Sequence, residues 1–212
     1  MTAPVFDPDF QTQFETLLRW RRDVRAFRRD PLPPGLLDEL LRLTRLAPSV
    51  GYSQPWRWVI VETPEARAAV RANFTRCNAE ALAAQGAERA SLYAKLKLAG
   101  LDDAPVQLAC FALTDPEAGH GLGRRTMPET LAYSAVTAIH TLWLAARMHG
   151  IGLGWVSILD AAAVGDTLAV PPDWRFIAYL CLGYPETDSA RPTLEQAGWQ
   201  ARLDDDGLVL TR

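Results

Sequence analysis

Two unbroken apolar runs constrain the fold of this chain most. VQLACFAL at 106–113 carries no charged residue, and WRFIAYLCLGYP at 174–185 carries only one. Runs of this kind are typical of strands buried on both faces, and such strands need a covering layer on each side of the sheet. Shorter runs, WRWVIV at 56–61 and GLGWVSIL at 152–159, predict two further strands. The sequence therefore predicts a central sheet with helices packed on it.

Predicted helices alternate with these strands along the chain. Apolar residues recur at helical spacing, and we expect Pro48 to end one helix and Gly150 to cap another. The alternation indicates one α/β or α+β domain. No repeat or linker divides the chain, and 212 residues that are 49% hydrophobic can bury one large core, so we expect a single domain over 1–212. The predicted helices cover 8–20, 34–47, 64–98 (as one helix or two), 129–149 and 160–170.

The charge of the chain limits its partners. The formal net charge is −3 and the pI is near 5.6, which argues against binding to nucleic acid or to a membrane surface. The first ten residues, MTAPVFDPDF, lack the basic flank and apolar core of a signal peptide, and no apolar run is long enough to span a bilayer. We therefore expect a cytoplasmic protein that binds neither nucleic acid nor membranes.

The cysteines and histidines predict no metal site. Two of the three cysteines, Cys110 and Cys181, lie in the apolar runs, and Cys77 is far from both. Their odd number and wide spacing indicate core thiols in a reducing compartment rather than a disulfide framework. The three histidines lie away from any acid or thiol at ligand spacing, so we expect no bound metal.

The segment RWRRDVRAFRR at 19–29 places six arginines around one carboxylate, Asp23. A planar guanidinium can hold two phosphate oxygens at once, although a solvated basic face is the alternative for any run of charge. Trp20, Val24 and Phe27 interleave the arginines, so the segment cannot lie wholly in solvent. We expect the surrounding arginines to lower the pKa of Asp23 and keep it ionised, available as a base or as an orienting group.

The same segment opens a pattern that resembles a known family. An R-R-x-x-R cluster, a helix ending in APS and a loop ending in QPW before a strand are similar to the N-terminal signature of the FMN-dependent nitroreductases. The resemblance implies an α+β fold with a mixed central sheet flanked by helices, and an intertwined homodimer with FMN at the subunit interface. It also implies that Arg21, Arg22 and Arg25, with Val24 between them, bind the phosphate and ribityl chain, and that Ser49 lies near the flavin ring.

The chain departs from ordinary nitroreductases in a consistent way, since Asp23 and Tyr52 stand where those proteins usually carry Ser and Asn. From about residue 14 to 203 it resembles one branch of the family, the 5,6-dimethylbenzimidazole synthases or flavin destructases. That branch implies that reduced FMN and O2 react to give 5,6-dimethylbenzimidazole, the lower ligand of vitamin B12, and erythrose 4-phosphate. It also implies a flavin reductase or NAD(P)H system that supplies reduced FMN. The pieces that carry the resemblance are RRDVR, LAPSVGYSQPWRW, KLKLAGLDDAPVQLA, GRRTMPET, LWLAARMHGIGLGWVSIL and LEQAGWQARL.

The branch implies two catalytic residues. We expect Asp23 either to take the proton from the ribityl carbon attached to the ring or to orient the ribityl chain. Ser157 would be a buried strand serine on sequence grounds alone, but the branch implies that it contacts the flavin and takes part in fragmentation. We expect Gly154 to allow close approach to the ring. Leu96 would contact the flavin from a lid, or else belong to a helix core.

Two other functions remain open at this point. A conventional NAD(P)H-dependent FMN nitroreductase would keep FMN intact and reduce a second substrate. A non-catalytic flavin-binding module would use Asp23 and Ser157 only structurally. Asp23 favours fragmentation, because simple hydride transfer needs no carboxylate at that place.

Overall fold

The structure, a computed structural model, describes residues 2–84, 100–203 and 208–212. Its elements follow the predicted order, with ends that differ by a few residues. The predicted strand at 152–159 is shorter than expected, and Leu96 lies outside the described residues. The elements are α1 Pro8–Trp20, α2 Leu36–Thr44, a 3-10 turn Val50–Tyr52, β1 Trp56–Ile60, α3 Pro64–Ala83, α4 Gly100–Asp103, β2 Val106–Leu113, α5 Thr130–Met148, β3 Gly152–Val156, α6 Ala161–Thr167, β4 Trp174–Gly183 and α7 Thr193–Gln196.

The four described strands form one sheet in the order β1-β2-β4-β3, and every neighbouring pair is antiparallel. The expectation of a mixed sheet is therefore wrong for these strands. Alternating helices and strands suggest parallel strands joined by crossover connections. Here β1 and β2 are adjacent and antiparallel, as are β3 and β4, so each of these connections leaves and enters the sheet at the same end. Among the described residues, the one parallel pairing is the isolated bridge between Asp23 and Leu153.

Both faces of β2 are buried, as its unbroken apolar sequence predicts. Leu108 and Cys110 belong to the core that α2 and α5 cover, whereas Ala109 and Phe111 belong to the core that α3 and α6 cover. All four residues are 0% exposed. The sheet therefore separates two hydrophobic cores, and Cys110 is a core thiol whose pKa is raised by burial.

Two helices carry apolar side chains on their open surfaces. No residue of α1 is buried, and Phe10 and Phe14 of that helix remain 45% and 44% exposed. On α5, whose other face is buried against the sheet, Tyr133 and Val136 are 56% and 40% exposed. In the described part of the chain, no helix has the length and apolarity needed to cross a bilayer.

The segment after α1 runs in an extended form beside β3, the edge strand of the sheet. The Val24 N–H donates to the Leu153 carbonyl at 3.0 Å, and Phe27 lies in the core with 1% of its surface exposed. Two contacts require glycine in β3. A Cβ on Gly154 would lie 2.1 Å from the Val24 carbonyl oxygen, and one on Gly152 would lie 2.6 Å from a Val24 methyl group. The glycines of β3 thus allow the arginine segment to lie directly on the sheet.

Candidate functional site

The structure divides the six arginines of segment 19–29 into two groups. Arg21, Arg22 and Arg25 line a cavity together with Arg202 from the C-terminal tail, and we call it the arginine cavity. The other three form ion pairs elsewhere. Those pairs are Arg19 with Glu15, Arg28 with Asp30, and Arg29 with Asp103. Part of the segment is therefore an ordinary surface, and part of it concentrates guanidiniums around one space.

The guanidiniums of the arginine cavity have unused donors. Arg22 donates to the carbonyls of Arg21 and Ala190, but its Nε is buried and finds no hydrogen-bond acceptor in the described part of the chain. The Nε of Arg25 is also buried without a hydrogen bond there, and lies 3.5 Å from the Asp23 Oδ2. Buried donors without acceptors are costly. An anion with several oxygens, such as a phosphate, fits this donor set.

Positive charge is crowded at this place. Burial lowers the pKa of Arg22, and the neighbouring charge of Arg21 lowers it further. Arg147 and Arg191 line a second cavity that shares Arg22 and Arg25 with the first. Arg147 is paired with Asp188 and Arg191 with Glu195, so the repulsion that a bound anion would relieve is mainly that between Arg21 and Arg22.

Asp23 lines both cavities, and each of its oxygens faces a polar neighbour. Its Oδ1 accepts the Trp155 backbone N–H at 2.9 Å, and its Oδ2 faces Arg25. Burial raises the pKa of the Asp23 carboxyl above its usual range, while the Trp155 hydrogen bond and the Arg25 charge oppose that rise. The expectation of a lowered pKa is therefore wrong, because the loss of water outweighs the nearby arginines. A raised pKa makes the carboxylate a stronger base.

Of the predicted site residues in the described chain, three line neither of these cavities: Ser49, Gly154 and Ser157. Ser157 is exposed and follows the last residue of β3, so the alternative of a buried strand serine is wrong. Ser49 precedes the 3-10 turn, and its Oγ accepts the Gln54 N–H at 3.0 Å. Both serines lie outside the two cavities described above. Their contact with a flavin stays a prediction, as do those of Leu96 and Gly154.

The loop that follows Ser49 has an unusual backbone. Tyr52 and Gln54 have φ angles of 57° and 47°, in the left-handed region that residues other than glycine rarely adopt. Gly51 packs against Gly119, where an added Cβ would lie 2.7 Å from the Gly51 carbonyl oxygen. Backbone strain of this kind costs about 1–3 kcal/mol per residue and is concentrated at functional sites.

Sequence reasoning missed two residues that the fold brings to the arginine segment. Arg202 lines the arginine cavity although it lies far along the chain in the tail. Trp143 of α5 lines the second cavity, and its indole N–H donates to the Arg22 carbonyl at 3.0 Å. The motif LEQAGWQARL contains Arg202, but no local pattern indicates which arginine of the tail reaches back to the site.

Comparison with known proteins agrees with this geometry. The model of the Nitroreductase family matches residues 18–184, so the chain belongs to the nitroreductase family. It is 53% identical over 201 residues to the 5,6-dimethylbenzimidazole synthase of Rhodospirillum rubrum, with 95% of each chain covered. It is 51% identical over 198 residues to the 5,6-dimethylbenzimidazole synthase of Rhodobacter capsulatus, with 93% of this chain and 96% of the relative covered. Within the family, the chain thus belongs with the 5,6-dimethylbenzimidazole synthases.

A solved structure supports the fold independently. The crystal structure of oxidized iodotyrosine deiodinase, bound to FMN and 3-iodo-L-tyrosine, is similar with a TM-score of 0.73 at 23% identity. The similarity covers 93% of this chain and 97% of that one. The predicted nitroreductase-like α+β fold is confirmed.

Proposed function

We propose that this chain makes 5,6-dimethylbenzimidazole by oxygen-dependent fragmentation of reduced FMN, with release of erythrose 4-phosphate from the ribityl phosphate and of the remaining pyrimidine atoms of the flavin. The observation that carries the proposal is the Asp23 carboxylate, which is partly buried and lines the arginine cavity. A nitroreductase that only transfers hydride has no use for a base beside the ribityl chain of its flavin. The two curated relatives named above are both 5,6-dimethylbenzimidazole synthases, which supports the same reaction.

In this proposal the arginine cavity binds the phosphate of FMN. The unpaired Nε atoms of Arg22 and Arg25 and the guanidiniums of Arg21 and Arg202 supply the donors. A phosphate fixed at this place would direct the ribityl chain past Asp23, which lines the same cavity. The residues present therefore fit FMN at its phosphate end.

Asp23 is the proposed base. Reduced FMN, when bound, supplies both the electrons that reduce O2 and the ring carbons of the benzimidazole. Because the Trp155 N–H fixes Oδ1, the other oxygen, Oδ2, is the atom that we expect to accept the proton from the ribityl carbon attached to the ring. The raised pKa favours this transfer, and Arg25 stays close enough to stabilise the charged form before it.

The site is proposed to be completed by a second copy of the chain. The two cavities that contain Asp23 measure about 150 and 190 Å³. Each is below the roughly 300–1,000 Å³ that is typical of cofactor sites. Ser49 and Ser157 lie outside both, and α1 and α5 leave apolar side chains exposed. A homodimer would cover those side chains and bring further residues to the flavin ring.

One experiment separates this function from its alternatives. The purified chain is incubated with excess FMN and a reductant under air, and the products are separated by chromatography. We expect 5,6-dimethylbenzimidazole to appear. Sustained NAD(P)H oxidation with intact FMN would instead indicate a conventional oxidoreductase, and flavin binding without turnover would indicate a binding module.

The Asp23→Asn variant tests the base. It keeps an oxygen that can accept the Trp155 N–H and removes a negative charge beside the proposed phosphate site, so we expect FMN to bind at least as tightly as in the wild-type chain. Benzimidazole formation should fall by at least about 100-fold, which is the low end for loss of a general base. A wild-type yield from this variant would show that Asp23 is not the base.

A further inference from the structure

We propose that Trp143 is a positioning residue whose indole holds Arg21 and Arg22 in place to bind the phosphate of FMN. This inference rests on the proposed function, in which those arginines bind the phosphate. It concerns a residue that sequence patterns did not indicate and that need not touch the flavin itself.

The first contact is a hydrogen bond from the indole to the backbone of the arginine segment. The Trp143 Nε1–H donates to the Arg22 carbonyl oxygen at 3.0 Å. Trp143 belongs to α5, where its neighbour Leu142 is 0% exposed in the core. A helix anchored in the core thus fixes one carbonyl of an extended segment that has few ladder hydrogen bonds of its own.

The second contact is made by the face of the same ring. The guanidinium carbon of Arg21 lies 4.8 Å from the centre of the Trp143 ring, within the range of a cation–π interaction. One side chain therefore holds two consecutive arginines, Arg21 by its guanidinium and Arg22 by its carbonyl. Without this contact, the long Arg21 side chain would have to lose more rotamer freedom when a ligand binds.

The hydrogen bonds of Arg22 make its backbone position important. Its guanidinium already donates to the carbonyls of Arg21 and Ala190, and its buried Nε lacks a hydrogen bond in the described chain. The direction of that Nε is set by where the Arg22 backbone lies. Because Trp143 fixes the Arg22 carbonyl, loss of the indole N–H should misdirect the donor even though Arg22 itself is unchanged.

A neighbouring tryptophan provides a matched control. The Trp155 ring lies 6.5 Å from the Trp143 ring, but Trp155 contacts Asp23 through its backbone N–H. A change of the Trp155 side chain therefore leaves that hydrogen bond in place. Trp143→Phe and Trp155→Phe both replace an indole by a smaller phenyl ring, and the two indoles are neighbours. Only Trp143→Phe removes a hydrogen bond to the arginine segment.

The test compares two flavins that differ in one group. Dissociation constants of oxidised FMN and of riboflavin, which lacks the phosphate, are measured by quenching of flavin fluorescence for the wild-type chain and both variants. The preference for FMN over riboflavin isolates the contribution of the phosphate. We expect Trp143→Phe to reduce this preference about fivefold, as for the loss of one hydrogen bond, with riboflavin affinity unchanged. Trp155→Phe should keep the wild-type preference.

Three outcomes would overturn the inference. An unchanged preference in Trp143→Phe would mean that the indole does not position the arginines, and equal weakening of both flavins would mean that Trp143 only stabilises the fold. A wild-type chain without any preference for FMN would remove the phosphate site itself. A wild-type chain that prefers FMN but forms no benzimidazole would refute the proposed reaction, yet the effect of Trp143→Phe on the preference would still support or contradict its positioning role.

Discussion

The carboxylate of Asp23 carries most of the proposed chemistry, and its surroundings act on it in opposite directions. Burial disfavours the charged form, whereas the Trp155 N–H and the Arg25 guanidinium favour it. Because the pKa in the folded chain is raised above that in the unfolded chain, folding favours the protonated form. The stability that this carboxyl contributes is therefore present at low pH and is lost as the pH rises through the raised pKa.

The raised pKa of Asp23 predicts that its substitution changes the thermal stability of the flavin-free protein. Asp23→Asn cannot ionise, so we expect its melting temperature at pH 7 to exceed that of the wild-type chain. The difference should shrink as the pH falls toward about 4, where the unfolded carboxyl also becomes protonated. Thermal unfolding followed by circular dichroism at several pH values checks this. Asp30→Asn, which alters an exposed carboxylate of the same segment, serves as the control, and a difference that does not vary with pH would contradict the raised pKa.

At the residue scale, sequence reasoning identified groups but not their environments. The R-R-x-x-R pattern indicated Arg21, Arg22 and Arg25, and the structure brings all three to one cavity. The pattern could not give the pKa of Asp23, because burial depends on β3 and on the tail, both far along the chain. For the same reason it missed Trp143, which lies 121 residues from its hydrogen-bond partner Arg22.

The element that organises the site is the extended segment between α1 and α2, which lies on the edge strand β3. Its position depends on glycine at 152 and 154, since any side chain there would collide with Val24. The sequence indicated glycine in this strand for close approach to a planar ligand. In the structure, the group that approaches Gly154 is the Val24 backbone, one residue from the proposed base.

Gly154→Ala therefore tests how the segment and the strand are joined. A Cβ 2.1 Å from the Val24 carbonyl must displace the segment, so we expect a loss of about 1–3 kcal/mol in unfolding free energy and a loss of benzimidazole formation. Gly165→Ala in α6 is the control, because its Cβ would meet nothing closer than 3.7 Å and should stabilise the chain by about 0.5–1 kcal/mol. Equal stability of the two variants in urea denaturation would show that the contact is readily relaxed.

The hydrophobic pattern of the sequence predicted most of the helices and strands. α1 matches its predicted range, and β2 matches 106–113 at both ends. The sequence could not predict whether the strands pair in parallel or antiparallel, because an apolar run buried on both faces has the same pattern in both kinds of sheet. β3 ends at Val156 rather than at residue 159, so that Ser157 leaves the strand and becomes exposed.

At the scale of the whole molecule, the α5 helix offers a surface for the proposed homodimer. The α5 helix buries one face against the sheet and leaves Tyr133 and Val136 exposed on another. Apolar side chains aligned at a spacing of three residues on a long helix are typical of a face that packs against another helix. We therefore propose that the exposed surface of α5 around Tyr133 and Val136, called the α5 surface, lies at the interface of the proposed homodimer.

Val136→Glu tests that interface. A charge placed on the α5 surface would lose water on association, so we expect dimer dissociation to become at least about tenfold more favourable and FMN affinity to fall with it. Sedimentation velocity over a range of concentrations measures the change. Ala69→Glu, on the exposed surface of α3 across the sheet, adds the same charge elsewhere and should leave association unchanged. A variant that sediments like the wild-type chain would place the interface elsewhere.

The parallel bridge between Asp23 and Leu153 has a thermodynamic consequence for the enzyme. The proposed base, three of the four arginines proposed to bind the phosphate and the Val24 amide that bonds to β3 all lie within residues 21–25. If this short segment detaches from the strand, the proposed base and three of the proposed phosphate-binding arginines leave together. The free energy of that one local opening would then set the fraction of molecules that are competent for the proposed reaction. Ligand binding stabilises only the closed form, which couples flavin affinity directly to that opening equilibrium.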